Sequence, residues 1–249
     1  MAGHSKFKNI QHRKGAQDAK RAKIFTKLGR EIAIAAKLGG SDPEMNPRLR
    51  LAITTARGSN MPNDRIKKAV QSGVGSDDMS NYVEMRYEGY GPSGVAVIVE
   101  ALTDNKNRTA SEVRSAFSKS GGNLGETGSV GFMFDHMGEV IYSLDKTSED
   151  EMFESAVEAG ADNVETADCY EVSTSVEDFI SVKNALEEKY GEAERAGFIW
   201  KPNVSTEVNE DTAAKILRLI DALEDNDDVQ SVTTNLECSD EIMEKLLSE

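Results

Sequence analysis

Apolar and charged positions alternate with the period of an α-helix through residues 17–38. The two glycines that follow, Gly39 and Gly40, form a helix stop signal. At roughly 100° per residue, one side of this helix holds an apolar set: Ile24, Phe25, Leu28, Ile32, Ala35 and Ala36. The other side holds a cationic set: Lys20, Lys23, Lys27, Arg30 and Lys37. The pattern therefore predicts a helix with a core side and a positive side, and Arg21 reaches from the apolar side to solvent.

Two shorter helices are predicted behind the first. Asn46–Pro47 is a cap followed by proline at the first helical position, and Pro62 opens another helix that Gly73 and Gly75 end. We expect the three helices to form a bundle with a positive exterior. No helix-turn-helix tip with base-reading side chains is recognisable, which favours contact with backbone phosphates over sequence readout.

Beyond residue 80 the pattern changes to short strands and helices in alternation. Strands are predicted over 82–91 and 94–103 around a tight turn, followed by a helix from Thr109 to Lys119. Residues 129–144 are predicted to form a hairpin that turns at His136–Gly138. The remaining predicted elements are strands near 163–174 and 194–202, helices over 149–159 and 177–190, a strand–helix–strand over 205–236 and a terminal helix. The predicted fold class is α+β multidomain: an N-terminal three-helix bundle followed by two α+β domains, ferredoxin-like βα sandwiches.

Composition narrows the class of protein. The chain has 249 residues, of which 38% are hydrophobic and 29% charged, as is typical of globular proteins. No apolar run approaches the roughly 18 residues that a membrane span needs, and the start, MAGHSKFKNI, lacks the apolar stretch of a secretory signal. Two cysteines, Cys169 and Cys238, are too few for a disulfide framework. We expect a cytoplasmic protein without a membrane partner.

The charge is distributed very unevenly along the chain. The net charge is −15, yet residues 1–75 hold 16 Lys and Arg against 5 Asp and Glu, while the rest holds 13 against 39. Such asymmetry indicates a basic module for a polyanion joined to an acidic body. The alternative is ordinary solvated charge that happens to be placed unevenly.

Residues 3–15 are predicted to be a mobile arm that binds nucleic acid, because they combine four Lys or Arg with one aromatic and no acid. Lysine and arginine dock on phosphates, and Phe7 can stack on an unpaired base. A disordered solubilising tail is the alternative. The predicted nucleic-acid-binding residues are Lys6, Phe7, Lys8, His12, Arg13, Lys14, Lys20, Arg21, Lys23, Lys27, Arg30, Arg65 and Lys68.

Two glycine-rich stretches have the composition of binding loops. Residues 89–94 spell G-x-G-x-x-G, but a strand follows instead of a helix, so a hairpin turn is predicted and a dinucleotide site is not. Residues 121–129 form a glycine-rich loop whose N–H groups could converge on an anion. A structural loop is the alternative. The residues of this second candidate anion site are Arg108, Arg114, Gly121, Gly122, Asn123 and Gly125.

Catalytic and metal chemistry find little support in the sequence. His4, His12 and His136 have no metal-ligand spacing, and no serine lies in a nucleophile motif. The acidic clusters Glu149–Glu151 and Glu224–Asp228 are interpreted as solvated faces, with contact to basic ribosomal proteins as the alternative. We expect no enzymatic activity, no metal, no cofactor and no small-molecule substrate.

Four stretches together are highly specific: MAGHSKFKNIQHRKGAQDAKRAKIFTKLGREI, GGSDPEMNPRLRLAI, NMPNDRIKKAV and YEGYGPSGVAVIVEALTDNKNRTASEVRSAFSKSGGNLGETGSVGFMF. They resemble the YebC/PmpR family closely over residues 1–140 and loosely beyond. Phe7 departs from the usual Trp of the family and implies weaker stacking. The resemblance implies a cytoplasmic, non-enzymatic, DNA-binding regulator of transcription. Related members act on ribosomes, so the alternative is a translation factor that contacts ribosomal or transfer RNA and eases stalling, for instance at proline runs.

The resemblance also implies a domain organisation. It places the basic arm and bundle at 1–78, a discontinuous middle domain at 79–131 with 203–238, an inserted domain at 132–202 and a C-terminal helix at 239–249. Because the chain starts at MAGHSK, we expect a bacterial-type cytoplasmic member without a mitochondrial presequence.

Overall fold

The computed structural model of the chain describes residues 18–75 and 81–248. It begins with helices α1 (Asp18–Gly39), α2 (Pro47–Gly58) and α3 (Asn63–Gly75). Asn46 caps α2, because its side chain accepts a hydrogen bond from Leu49 N at 3.1 Å. The predicted N-terminal helices are confirmed. One detail is wrong: Ile24, assigned to the core side, is 41% exposed.

The C-terminal half of α1 contains a stretch that is buried on all sides. The five consecutive residues from Ile32 to Ala36 are all buried. Gly73 of α3 lies so close to α1 that an added Cβ would fall 2.1 Å from the carbonyl oxygen of Ala33. Glycine at this position therefore serves the close approach of two helices.

The first sheet is antiparallel, with strand order β3-β1-β2-β9. Its strands are β1 (Val83–Tyr90), β2 (Ala96–Thr103), β3 (Asn123–Leu124) and β9 (Val229–Thr234). The G-x-G-x-x-G stretch turns between β1 and β2 through Pro92–Gly94, where Ser93 and Gly94 have φ of 59° and 79°. The predicted hairpin turn is therefore confirmed.

Two helices cover one face of the first sheet: α4 (Lys106–Lys119) and α7 (Glu210–Glu224). Its core holds buried Val97, Val99, Val113, Phe117, Leu219, Leu223 and Val229. Helix α4 begins three residues before the predicted Thr109, because Asn105 caps it by accepting a hydrogen bond from Arg108 N. Strands β8 (Thr206–Glu207) and β10 (Leu236–Glu237) pair in parallel, and α8 (Asp240–Ser248) follows.

The second sheet has strand order β5-β6-β4-β7. Its elements are β4 (Phe134–Ser143), α5 (Glu149–Ala159), β5 (Asn163–Thr166), β6 (Cys169–Thr174), α6 (Phe179–Tyr190) and β7 (Arg195–Pro202). Its core holds buried Val140, Tyr142, Met152, Ala156, Val172, Phe179, Val182 and Leu186.

The hairpin predicted over residues 129–144 is wrong. Residues 134–143 form a single strand, and Gly138 to Ser143 pair with β6 in unbroken register. Gly138 is needed there for packing instead of turning, because an added Cβ would lie 2.4 Å from the ring of Phe179.

The described chain divides into two compact units. The first holds residues up to 27, 81–135 and those from 202 onward, and the second holds 28–75 and 136–201. The fold class predicted from the sequence, an α+β multidomain protein with an N-terminal helical region, is confirmed. The domain boundaries implied by the resemblance stay a prediction.

Candidate nucleic-acid interface

The cationic side of α1 contacts the carboxyl end of α7. Lys23 Nζ lies 2.8 Å from Asp225 Oδ1, and Lys27 Nζ donates to the carbonyl oxygen of Glu224 at 2.6 Å. The C-terminus of a helix attracts cations, because its last carbonyl groups carry partial negative charge. Two lysines predicted to bind phosphate therefore already have negative partners in the first unit.

The two lysines differ in how firmly they are held. Burial lowers the pKa of Lys27, against the opposing effect of Glu224 and Asp227 nearby. Lys23 and Asp225 are both well exposed, and exposed ion pairs contribute about 0–1 kcal/mol. A phosphate can replace Asp225 at Lys23 at little cost, whereas Lys27 is less available.

The other predicted residues of α1 have varied surroundings. The guanidinium of Arg21 lies over the ring of Phe25, 5.5 Å from its centroid, which agrees with the expected path past the apolar side. Arg30 is half-buried. The side chain of Lys20 and the arm residues Lys6, Phe7, Lys8, His12, Arg13 and Lys14 lie outside the described residues.

The outer face of α3 carries exposed cations. Ile66 is buried, whereas Arg65, Lys67 and Lys68 are exposed. The helix has a single acid, Asp64, in its first turn. Lys67 belongs with Arg65 and Lys68, the two residues of α3 predicted to bind nucleic acid. The helical pattern places it on the outward side, and this signal is enough to include it.

The arginines of α2 serve the second unit. Arg48 makes a paired contact with Glu31 of α1, at 2.8 and 3.1 Å, so it neutralises the acid on that stretch of α1. Arg50 donates to the carbonyl oxygens of Pro43 and Glu44. The lysines of α3 are consequently better placed for an external anion than these arginines.

Backbone donors at the end of the glycine-rich loop and directly after it point inward. The N–H groups of Val130 and Gly131 donate to the buried carboxylate of Glu88 at 3.0 and 2.8 Å, and Arg86 Nε lies 3.0 Å from its other oxygen. Burial raises the pKa of Glu88, but these backbone hydrogen bonds, with one from Gly128, outweigh it and hold the pKa below its usual value. An internal carboxylate thus occupies the kind of cradle in which the sequence suggested an external anion.

The glycines predicted to bind an anion are also engaged. Gly122 N donates to the carbonyl oxygen of Phe117, Gly121 N to that of Ser118 and Gly125 N to that of Glu88. Asn123 lies in β3, beside Tyr90 of β1. These contacts favour the structural role of the loop over an anion site.

The two arginines of that candidate site differ. Arg108 donates to Asp228 at 2.6 Å and to Asp104 at 2.9 Å. Arg114 lies exposed on α4. Two carboxylates of the first unit therefore already engage Arg108, whereas Arg114 is exposed to solvent.

An aromatic cluster on the second sheet was not predicted. His136 stacks on Trp200 with ring centroids 4.5 Å apart, and Phe198 packs on Phe179 at 4.7 Å. No sequence signal joins these residues, because the pattern predicts a turn at His136, which lies in β4.

Two further properties can be stated of residues 18–75 and 81–248. In these stretches no three His, Cys, Asp or Glu side chains are grouped as a metal ion would require. The helices found there are too short or too polar to cross a bilayer.

The structure thus defines an α+β multidomain protein whose N-terminal helices carry exposed cations. Residues 5–76 match the family model for the TACO1/YebC N-terminal domain, and residues 82–236 match that for the TACO1/YebC second and third domain, which bears the name of a transcriptional regulator. The chain belongs to the TACO1/YebC family.

A solved structure agrees with this assignment. The crystal structure of a conserved hypothetical protein from Aquifex aeolicus is 44% identical in sequence and superposes with a TM-score of 0.80. The similarity covers 90% of this chain and 93% of that one.

Proposed function

We propose that the chain is a cytoplasmic, non-enzymatic regulatory protein that binds nucleic acid through the phosphates. The observation that carries this proposal is the outer face of α3, where Arg65, Lys67 and Lys68 are exposed together. A lysine is a flexible point charge that suits phosphate oxygens without reading bases. Binding is therefore expected to be strongly dependent on salt and weakly dependent on sequence.

The N-terminal part of α1 supplies a second set of phosphate contacts. Lys23 exchanges Asp225 for a phosphate, and Arg21 is exposed on the same turn of the helix. An arginine that lies over an aromatic ring keeps its outward N–H groups available for an oxygen.

The name of the family model favours duplex DNA and the regulation of transcription. A second candidate target is folded RNA on the ribosome, with a role in translation. It is favoured by the acidic body, since residues 76–249 hold 39 Asp and Glu against 13 Lys and Arg. A long duplex would repel such a surface, whereas a compact RNA fold need only contact the basic module in residues 1–75.

Salt-dependent binding of the full chain tests the proposal. Fluorescence anisotropy would follow binding to a labelled DNA duplex and to a labelled RNA stem–loop over a range of salt. Each phosphate contact contributes about 0.9 to the slope of log K against log salt on duplex DNA. We expect Lys67→Gln with Lys68→Gln to reduce that slope by about 2 and to weaken binding at low salt by more than tenfold.

The matched control changes two exposed cations of α7, Lys215→Gln with Arg218→Gln. It removes the same charge from the chain, and we expect its slope to equal that of the unaltered protein. Equal losses in both variants would mean that net charge alone drives binding, and the proposal would fail. Tighter binding of the duplex supports the role in transcription, and tighter binding of the stem–loop supports the role in translation.

A further inference from the structure

The outer face of α5 presents an apolar pair to solvent. Met152 and Ala156 point into the core of the second sheet, while Phe153 and Val157 are 54% and 56% exposed. Residues four apart are neighbours on a helix, so the two side chains form one contiguous patch. The core of this unit does not use them.

Unusually strong negative charge surrounds the patch. Residues 149–159 contain five acids and no Lys, Arg or His. Glu149, Asp150 and Glu154 are exposed and fall on the same side of the helix as the apolar pair. These carboxylates border Phe153 and Val157, so the face is apolar in its centre and anionic at its rim.

Glu151, the other acid in the first turns of α5, differs from the rim carboxylates because it has partners within its own unit. Glu151 accepts from Thr147 Oγ1 at 2.5 Å and lies 3.7 Å from Lys189. It therefore lies on the side of α5 that faces Lys189 of α6. The three rim carboxylates point the other way, toward solvent.

We propose that this outer face of α5 is a docking surface for a basic polypeptide segment that carries an apolar side chain. Lysine or arginine of the partner would pair with Glu149, Asp150 and Glu154, and its apolar side chain would cover Phe153 and Val157. An arginine can also lie over the ring of Phe153. The charge of the rim favours a protein over nucleic acid or an anionic lipid surface, because phosphate groups would be repelled.

This surface is independent of the phosphate contacts proposed for α1 and α3. It lies on a different element and carries the opposite charge. Its partner can therefore be bound whether or not the protein binds nucleic acid, and the two proposals fail separately.

A designed peptide probes the surface directly. The probe is a fluorescent helical peptide of about 14 residues made of Leu and Lys, and its control is a peptide of the same length and charge in which Ser replaces Leu. The full-length chain is titrated into the labelled Leu/Lys peptide, and binding is followed by fluorescence anisotropy. We expect Phe153→Ser with Val157→Ser to weaken binding by about tenfold or more, because both contacts lose apolar area.

Charge is tested with a matched pair of triple variants. The first triple variant is expected to weaken binding of the peptide about tenfold. It combines Glu149→Gln, Asp150→Asn and Glu154→Gln. The control, Glu126→Gln, Glu207→Gln and Glu237→Gln, removes the same charge from exposed positions of the first unit and is expected to change binding less than twofold. Circular dichroism checks that each variant melts as the unaltered protein does.

Three results would overturn the proposal. One is equal affinity of the Phe153/Val157 variant and the unaltered chain. Another is equal weakening by both triple variants, which would mean that the peptide senses net charge alone. The third is a homodimer in sedimentation that the Phe153/Val157 substitutions dissociate, since the face would then belong to a second copy of the chain.

Discussion

Replacement of Asp228 by alanine is expected to destabilise the first unit selectively. Asp228 lies between α7 and β9 and is 4% exposed. Its Oδ2 accepts hydrogen bonds from Thr109 Oγ1 at 2.7 Å, Thr103 Oγ1 at 3.1 Å and Arg108 at 2.6 Å. The side chain thus connects the returning C-terminal segment to β2 and α4.

The size of the effect follows from these partners. A hydrogen bond to a charged group contributes about 1.5–3 kcal/mol. Arg108 is exposed and keeps Asp104, so the loss comes mainly from the two threonine hydroxyls. These hydroxyls still contact each other at 2.8 Å, which limits the cost. We expect a loss of about 3 kcal/mol, equivalent to a decrease in Tm of about 6–12 °C for a protein of this size.

The effect of Asp228→Ala should depend on pH. Burial raises the pKa of Asp228, but the hydrogen bonds from Arg108, Thr109 and Thr103 outweigh it, so the pKa lies below its ordinary value. A carboxylate with a lowered pKa stabilises the folded state above its unfolded pKa of about 4 and loses that contribution as the pH falls further. The difference in Tm between the two proteins is therefore expected to shrink below about pH 4.

Thermal melts by circular dichroism, with hydrogen exchange of β2 and β9, measure this prediction. Asp104→Ala is the matched control, because it removes the exposed partner of Arg108 and is expected to cost no more than about 0.5 kcal/mol. A decrease in Tm of less than 2 °C in Asp228→Ala at neutral pH, or a difference independent of pH, would refute the reasoning.

Two further substitutions have defined outcomes. Gly73→Ala is expected to lower the free energy of unfolding, measured in urea, by about 3 kcal/mol, because its Cβ would clash with the backbone of Ala33. The control Gly75→Ala is expected to be neutral, because its Cβ would meet no described atom within 4 Å. Equal stability of the two variants would contradict the helix contact. Lys23→Gln removes the phosphate contact proposed for this residue and is expected to reduce the slope of log K against log salt on DNA by about 1. An unchanged slope in the anisotropy assay would mean that Lys23 contacts no phosphate.

Most of the fold can be predicted from local signals in the sequence. The caps at Asn46, the turn at 91–94 and the 3.6-residue period of α1 depend on neighbouring residues, and each is confirmed. The prediction of a hairpin at His136–Gly138 is wrong because Gly138 is required for packing against Phe179, a residue far along the chain. A glycine chosen for tertiary packing looks like a turn glycine when only its neighbours are known.

The candidate site depends on partners that are distant in sequence. The exposure of Lys68 could be read from the helical pattern, but the engagement of Lys23 by Asp225 could not, because 202 positions separate them. The glycine loop is similar. Its spacing suggested an anion, and the anion in place is Glu88, on a strand about 40 residues earlier. Sequence shows which donors exist, while the chain topology decides what they contact.

The pairing of β2 with β9 also has a consequence for synthesis of the chain. Strand β2 is made roughly 130 residues before its neighbour β9, which at about 5–20 residues per second is a delay of many seconds. All strands of the second sheet leave the ribosome within that interval. The nascent chain therefore exposes an open β-edge until its last segment emerges, and during that time the edge is vulnerable to pairing with other chains.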